Sequence, residues 1–203
     1  MTAFVELGKR QALALTDEHL ARDDPHTPTI GNVLRELNTL GVVTIGSQIG
    51  CHDKFEFDAC YRYQSVRQLG QIQRAYLDCF CDSATAKTLL ELMIGKTNLI
   101  VITQPASHTL TDPDNCHRQN TVPLTLWEMS DGTTKVNTDT LMTCWPIENA
   151  WLNLPDRISA DDVELRDKLA PEAILVLIID PDWGRETYLF DTVLDAVRNR
   201  VIV

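Results

Sequence analysis

Apolar residues in this chain recur at two periods, and each period predicts an element. Ile30, Val33, Leu34, Leu37 and Leu40 fall three and four residues apart, which predicts a helix over 30–40. Thr29 stands where a helix N-cap is expected, and Gly41 can supply the left-handed residue that ends it. Ala86, Leu89, Leu90 and Met93 make a similar stripe over 83–94, with Asp82 or Ser83 as the cap and Gly95 as the stop. Leu189, Phe190, Val193, Leu194 and Val197 predict a third helix over 186–199.

The second period is two. Residues 72–81 alternate, with Ala75, Leu77, Cys79 and Cys81 on one face and Ile72, Arg74, Tyr76, Asp78 and Phe80 on the other. Val42–Ile45 is a short β-branched run bounded by turn residues, hence a buried strand. Leu99–Ile102, Val122–Met129 and the very apolar Ile174–Ile179 read as further strands. Phe55-Glu56-Phe57-Asp58 alternates as a strand with one wet face. Asp131-Gly132 is a hairpin signal, with residues 133–144 returning. Ser159 heads a charged helical stretch, and Trp145, Trp151 and Leu154 are expected to anchor the irregular segment before it.

Taken together these elements predict a single α+β domain over 1–203: a mixed sheet of five to seven strands with the three helices mainly on one face. Strand 72–81, helix 83–94 and strand 99–102 form a right-handed crossover if the two strands are parallel. Residues 1–28 read as an N-terminal arm or short helix, broken at Asp23-Asp24-Pro25-His26-Thr27-Pro28. Residues 104–121 read as a long polar loop.

Composition narrows the partners. Apolar residues are 44% of the chain, enough for a real core, and the net charge is -11. Nucleic-acid affinity comes mostly from Lys and Arg displacing counterions from phosphates, so direct nucleic-acid binding is not expected. No apolar run approaches the roughly 18 residues of a membrane helix, and the first ten residues lack a signal-peptide order. A cytoplasmic protein with no membrane partner is the expectation. Acidity of this size says little about fold.

Four residues make the sharpest polar constellation: Ser47, Gln48, Gln73 and Arg74. An antiparallel pairing of strands 42–45 and 72–81 would gather a guanidinium, two amides and a hydroxyl beside glycines. Such a set can hold a carboxylate, a phosphate or a nucleobase edge, or the residues can simply satisfy one another. Six cysteines stand at 51, 60, 79, 81, 116 and 144. Cys79 and Cys81 read as small buried hydrophobes. Cys51-His52 and Cys116-His117 raise zinc or thiol chemistry, but their spacing matches no structural zinc pattern, so no metal and no cofactor is expected. A nucleophilic Cys51 would need His108 or His117 brought to it by the fold. Asp180-Pro181-Asp182-Trp183-Gly184-Arg185 follows the most apolar strand, where α/β proteins often place ligand chemistry, though a Pro turn with capping aspartates and Trp183 plugging the core is the favoured reading.

Leu37-Asn38-Thr39-Leu40-Gly41, then Ser47-Gln48-Ile49-Gly50, then Gln73-Arg74-Ala75 carry a resemblance. Over residues 34–94 the chain resembles an uncharacterised domain family of actinobacteria and some large DNA viruses and phages. The resemblance makes a viral source one expectation and implies no activity. The functional expectation is therefore a binding or interaction module for a small anionic or nucleotide-like ligand, or for a protein partner. The alternative is a small hydrolase or transferase using Cys51 with a loop histidine, or Asp180 and Asp182.

Overall fold

The structure is a computed structural model, and it describes residues 3–23, 26–54, 62–63, 66–94, 97–105, 122–137, 141–142 and 168–201. Its helices are α1 (Ala3–Ala14), α2 (Asp17–Asp23), α3 (Gly31–Thr39), α4 (Ser83–Ile94) and α5 (Tyr188–Val201). Its strands are β1 (Val43–Gln48), β2 (His52–Lys54), β3 (Arg62–Tyr63), β4 (Val66–Cys81) and β5 (Ile100–Pro105). They continue with β6 (Val122–Pro123), β7 (Thr125–Met129), β8 (Thr134–Val136), β9 (Leu141–Met142) and β10 (Ile174–Trp183). The class is α+β. Among the described residues, no helix is long and apolar enough to cross a membrane.

The sheet is built on β4, a single strand of 16 residues. β4 pairs with β7 over residues 68–73 and with β10 over 74–81. It also takes β3, β2 and β1 in succession along its length. Beyond these lie β5 on β10 and β8 on β7, and every pairing among the described residues is antiparallel. The crossover expected between 72–81 and 99–102 exists as a connection, but β10 is inserted between the two strands. β4 and β5 therefore run parallel without touching.

Alternation along β4 sorts the layers. Ala75, Leu77, Cys79 and Cys81 meet Val176 and Ile178 of β10 beneath α3, α4 and α5, whose Leu34, Leu37, Leu89, Leu189, Phe190 and Val193 complete one core. Cys79 and Cys81 are fully buried free thiols, as the alternation predicts, and burial pushes both well above an ordinary thiol pKa. The opposite face carries two smaller clusters. Phe80 packs with Phe4, Leu7 and Val43, and Leu177 and Ile179 pack with Leu124, Tyr76 and Ile102. The N-terminal residues are thus two helices, with Phe4 and Leu7 buried.

Helix α3 does not start at a Thr29 cap. The chain enters it through a 3-10 turn, Thr27–Ile30, because Pro28 lacks the N–H and has its φ fixed for a first turn. Its exit follows expectation: Gly41 has φ +91°, and the N–H groups of Gly41 and Val42 donate to Asn38 and Leu37 carbonyls. Asn38 is 0% exposed and ties the helix to β1. Its Nδ2 donates to Leu34 O and Thr44 Oγ1, both at 2.8 Å, and its Oδ1 accepts from Thr44 N. Asp82 caps α4 through the Thr85 N–H at 2.6 Å. The Asp131-Gly132 hairpin joins β7 to β8, with Asp131 Oδ1 accepting from both the N–H and the hydroxyl of Thr133. Phe55–Asp58, residues 106–121 with His108, Cys116 and His117, the Trp145–Leu154 anchors and the Ser159 helix lie outside the described residues.

Candidate functional site

Register decides which polar residues can meet. Gln48 is opposite Tyr76 and Ser47 opposite Leu77, so Gln48 shares a sheet face with Tyr76 while Ser47 shares the helix-covered face with Leu77. Gln73 and Arg74 are likewise on opposite faces. The four residues thus divide: Ser47 and Gln73 face the helices, Gln48 and Arg74 face away from them.

Arg74 is held by protein groups. Its Nε donates to Pro181 O at 2.9 Å and its Nη1 to Pro123 O at 3.1 Å. The guanidinium lies 4.0 Å from the centre of the Trp183 ring. Burial lowers its pKa below the usual guanidinium value, and the charges of Asp180 and Asp182 oppose that shift. Arg74 thus bridges the end of β10 and the approach to β7, where the carbonyls of two prolines converge on it.

Two other side chains on that face each carry one atom with no hydrogen-bond partner. Gln48 Nε2 and Asp78 Oδ1 are shut off from solvent without a hydrogen bond. Asp78 is opposite Gly46, two residues along β1 from Gln48. A Cβ on Gly46 would sit 3.6 Å from the Tyr76 ring and 3.8 Å from its hydroxyl, so Tyr76 lies beside both groups. Burial raises the Asp78 pKa to about 7, and the Cys79 N–H holds it from rising further.

Ser47 lines a different feature. A cavity of about 40 Å³ is bounded by Ser47, Thr44, Thr27, Leu15, Leu20 and Leu34. That volume suits water and is too small for an organic ligand.

On the helix-covered face, the pairing of residues 51–54 with β4 places Cys51, Asp53, Gln71 and Gln73 side by side. Cys51 Sγ lies 2.8 Å from Gln73 Oε1 and 3.3 Å from Asp53 Oδ2. Gln71 Nε2 reaches Asp53 Oδ2 at 3.5 Å. His26, from the residue before the 3-10 turn, brings Nε2 to 3.1 Å from Asp53 Oδ1. Cys51 is 7% exposed, whereas the His26 side chain is 41% exposed. The neighbouring His52 is on the other face and pairs with Glu128 at 2.8 Å, reaching across Gly70, so Cys51 and His52 do not act together.

The Asp180–Arg185 turn is an ion-pair network. Asp180 is 0% exposed and takes Arg185 on both oxygens, at 2.6 and 2.5 Å, and accepts the Asp182 N–H at 3.0 Å. Arg185 also meets Asp182 at 3.0 Å and stacks 3.8 Å from the Tyr188 ring. Its carboxylate bond to Asp180 raises its pKa further. Gly184 has φ +70° and donates to Gln73 O, and a Cβ on Gly50 would sit 2.4 Å from Arg185 O. The glycine at 50 is thus a backbone crossing that seats this turn beside Cys51.

His26 is the residue that sequence reasoning missed. Its signal was present only as a histidine beside two prolines in a breaker segment, 25 positions before Cys51 and separated from it by a whole helix. No curated protein matches the chain. One family model does, the domain of unknown function DUF6919, over residues 3–200. That match runs from α1 into α5 and so spans Gln48, Asp78, Cys51 and His26, and the chain belongs to the DUF6919 family.

Proposed function

We propose that the protein is a binding module whose ligand is a small, neutral molecule with an amide or base edge, held on the face of β1 and β4 by Gln48 and Asp78. The observation that carries this reading is the pair of buried, unpartnered atoms, Gln48 Nε2 and Asp78 Oδ1. Buried polar atoms are almost always paired, because an unpaired one forfeits its hydration for nothing. One of these atoms is a donor. The other is an acceptor, or a donor when Asp78 is protonated. Their residues are diagonal neighbours on paired strands, with backbone positions roughly 7–8 Å apart, so one planar ring with hydrogen-bonding edges can reach both side chains.

Charge selects within the ligand class. An anion would face the Asp78 carboxyl, while Arg74 on the same face already serves two carbonyls and an aromatic ring. A neutral edge avoids that repulsion. Tyr76 and Trp183 on the same face supply aromatic surface against which such a ring can lie.

The test is a titration of isotope-labelled protein with uracil, adenine and acetamide, with inorganic phosphate as the anionic comparator. Uracil or adenine should shift the Gln48 side-chain amide resonances, and Asp78→Ala should remove the effect. Shifts produced by phosphate alone, or none with any neutral probe, would overturn the proposal.

A further inference from the structure

We propose that His26, Cys51 and Asp53 form a divalent transition-metal site, best suited to zinc, with one coordination position left for water or a substrate atom. This site is on the opposite sheet face from Gln48 and Asp78 and is independent of the ligand proposed there.

Three observations carry it. The first is convergence: one ligand atom from each of the three residues lies within 4.8 Å of the others. Zinc bonds of about 2.0–2.3 Å in a tetrahedron put ligand atoms roughly 3.3–3.8 Å apart. Cys51 Sγ lies 3.3 Å from Asp53 Oδ2 and His26 Nε2 lies 3.1 Å from Asp53 Oδ1, so the carboxylate stands between the other two ligands, and a metal bound through one of its oxygens would draw the three atoms in from within 4.8 Å.

The second observation is a shortage of protons. Cys51 Sγ touches two oxygen acceptors, Asp53 Oδ2 at 3.3 Å and Gln73 Oε1 at 2.8 Å, but a thiol has one weak donor to give. With the Gln73 amide placed oxygen toward sulfur, one of the two contacts is an oxygen against a sulfur lone pair, a conflict that turning the amide also relieves. A dication among these atoms removes the conflict, since sulfur and carboxylate oxygen then both face positive charge. Thiolate and carboxylate together neutralise Zn²⁺. On loading, the Cys51 proton leaves to solvent, and His26 binds as the neutral imidazole.

The third observation is the support around the three residues. Asp53 lies within β2 and Cys51 immediately before it, two positions apart along one extended run, so pairing with β4 fixes their spacing. Gln71 reaches the Asp53 carboxylate at 3.5 Å, and Gln73, whose backbone N–H donates to Cys51 O, can turn its amide N–H toward the thiolate. Burial grades outward from Cys51 at 7% exposed to His26 at 41%, which leaves the fourth position on the solvent side. A mixed sulfur, nitrogen and oxygen set favours zinc over the hard cations magnesium and calcium. Three protein ligands with an open position is the pattern of zinc sites that activate water, and it differs from the four-ligand structural sites whose spacing this sequence lacks.

The experiment uses the full chain, stripped with a chelator, dialysed and titrated with Co²⁺ followed by Zn²⁺. The expected result is one equivalent of cobalt with tetrahedral d–d bands and a thiolate charge-transfer band, both displaced by zinc. Cys51→Ser should abolish the charge-transfer band. Gln71→Ala should weaken binding roughly tenfold as a supporting residue, and His26→Gln by more than that. Circular dichroism of the stripped variants checks the fold. Should Cys51→Ser fail to fold, the half-exposed His26→Gln becomes the deciding variant. Absent bands, weak octahedral bands only, a charge-transfer band that survives Cys51→Ser, or cobalt affinity unchanged in His26→Gln would each overturn the site.

Discussion

Gly8 of α1 meets the backbone of Asn38: a Cβ at position 8 would sit 1.9 Å from the Asn38 carbonyl oxygen. Alanine is ordinarily the better helix former by about 1 kcal/mol, so Gly8→Ala would stabilise an isolated helix. Here the obstruction is backbone, which cannot rotate away. We expect Gly8→Ala to force α1 off α3 and to destabilise the fold by about 1–3 kcal/mol, the usual cost of overpacking. Chemical denaturation reads this directly, and a stabilised variant would show that α1 does not dock at Asn38.

Asn38 itself links α3 to β1 through its side chain, and all three of the bonds it makes are buried. Asn38→Ala leaves the Thr44 N–H and hydroxyl without that partner. The expected cost is about 2–4 kcal/mol, from two unpaired polar groups partly offset by local relaxation. Asn38→Asp, protonated at acidic pH, restores the acceptor for the Thr44 N–H but only one of the two amide donors, so its denaturation midpoint there should fall between those of alanine and wild type.

Arg74 separates a structural role from a binding one. Pro181 and Pro123 carbonyls lose their donor in Arg74→Ala, and Trp183 loses its stacked cation. The expected loss is about 1–3 kcal/mol in stability. Lysine cannot fork to two carbonyls while lying flat on a ring, so Arg74→Lys should recover less than half of it. An unchanged thermal midpoint in Arg74→Ala would remove this residue from the structural account.

Asp78 should write itself into the pH dependence of stability. Its folded pKa, raised by burial to about 7, lies above the ordinary value of 3.8. Between these values the native state keeps a proton that the unfolded chain has lost. Stability is therefore fully present below about pH 4 as far as this group is concerned, falls as pH rises, and levels off above about pH 7. The total is on the order of 4 kcal/mol. Asp78→Asn, which cannot ionise, should flatten this slope and be more stable than wild type at pH 8. Parallel pH profiles for the two proteins would rule out Asp78 as the titrating group.

Elements with a strong period were legible in the sequence. The helices at 30–40 and 83–94 and the buried face Ala75, Leu77, Cys79, Cys81 follow from spacing alone, since one periodic stripe has one way to be buried. The same period, applied to neighbouring polar residues, already separates Gln73 from Arg74 and Ser47 from Gln48, because adjacent strand residues face opposite ways. His26 was not legible. Its approach to Asp53 depends on how a 3-10 turn seats α3 on the sheet, which no local pattern encodes. The Asp78 and Gln48 pair was hidden similarly, since it exists only through the register of β1 on β4. Ile174–Ile179 stands out as the most apolar strand, but nothing local to it marks its insertion between β4 and β5.

That insertion has a consequence for the order in which the protein can be made. Residues 174–183 supply the partner for one edge of β4 over residues 74–81, nearly a hundred positions earlier in the chain. During synthesis β1, α3 and α4 emerge first, and can shelter the face and the other edge of β4, while the edge meant for β10 stays open. An unpaired strand edge beside an apolar core recruits other strands. The nascent chain is thus most prone to self-association in the interval between β5 and β10. A ribosome pause or truncation there should yield aggregates rather than a smaller folded unit.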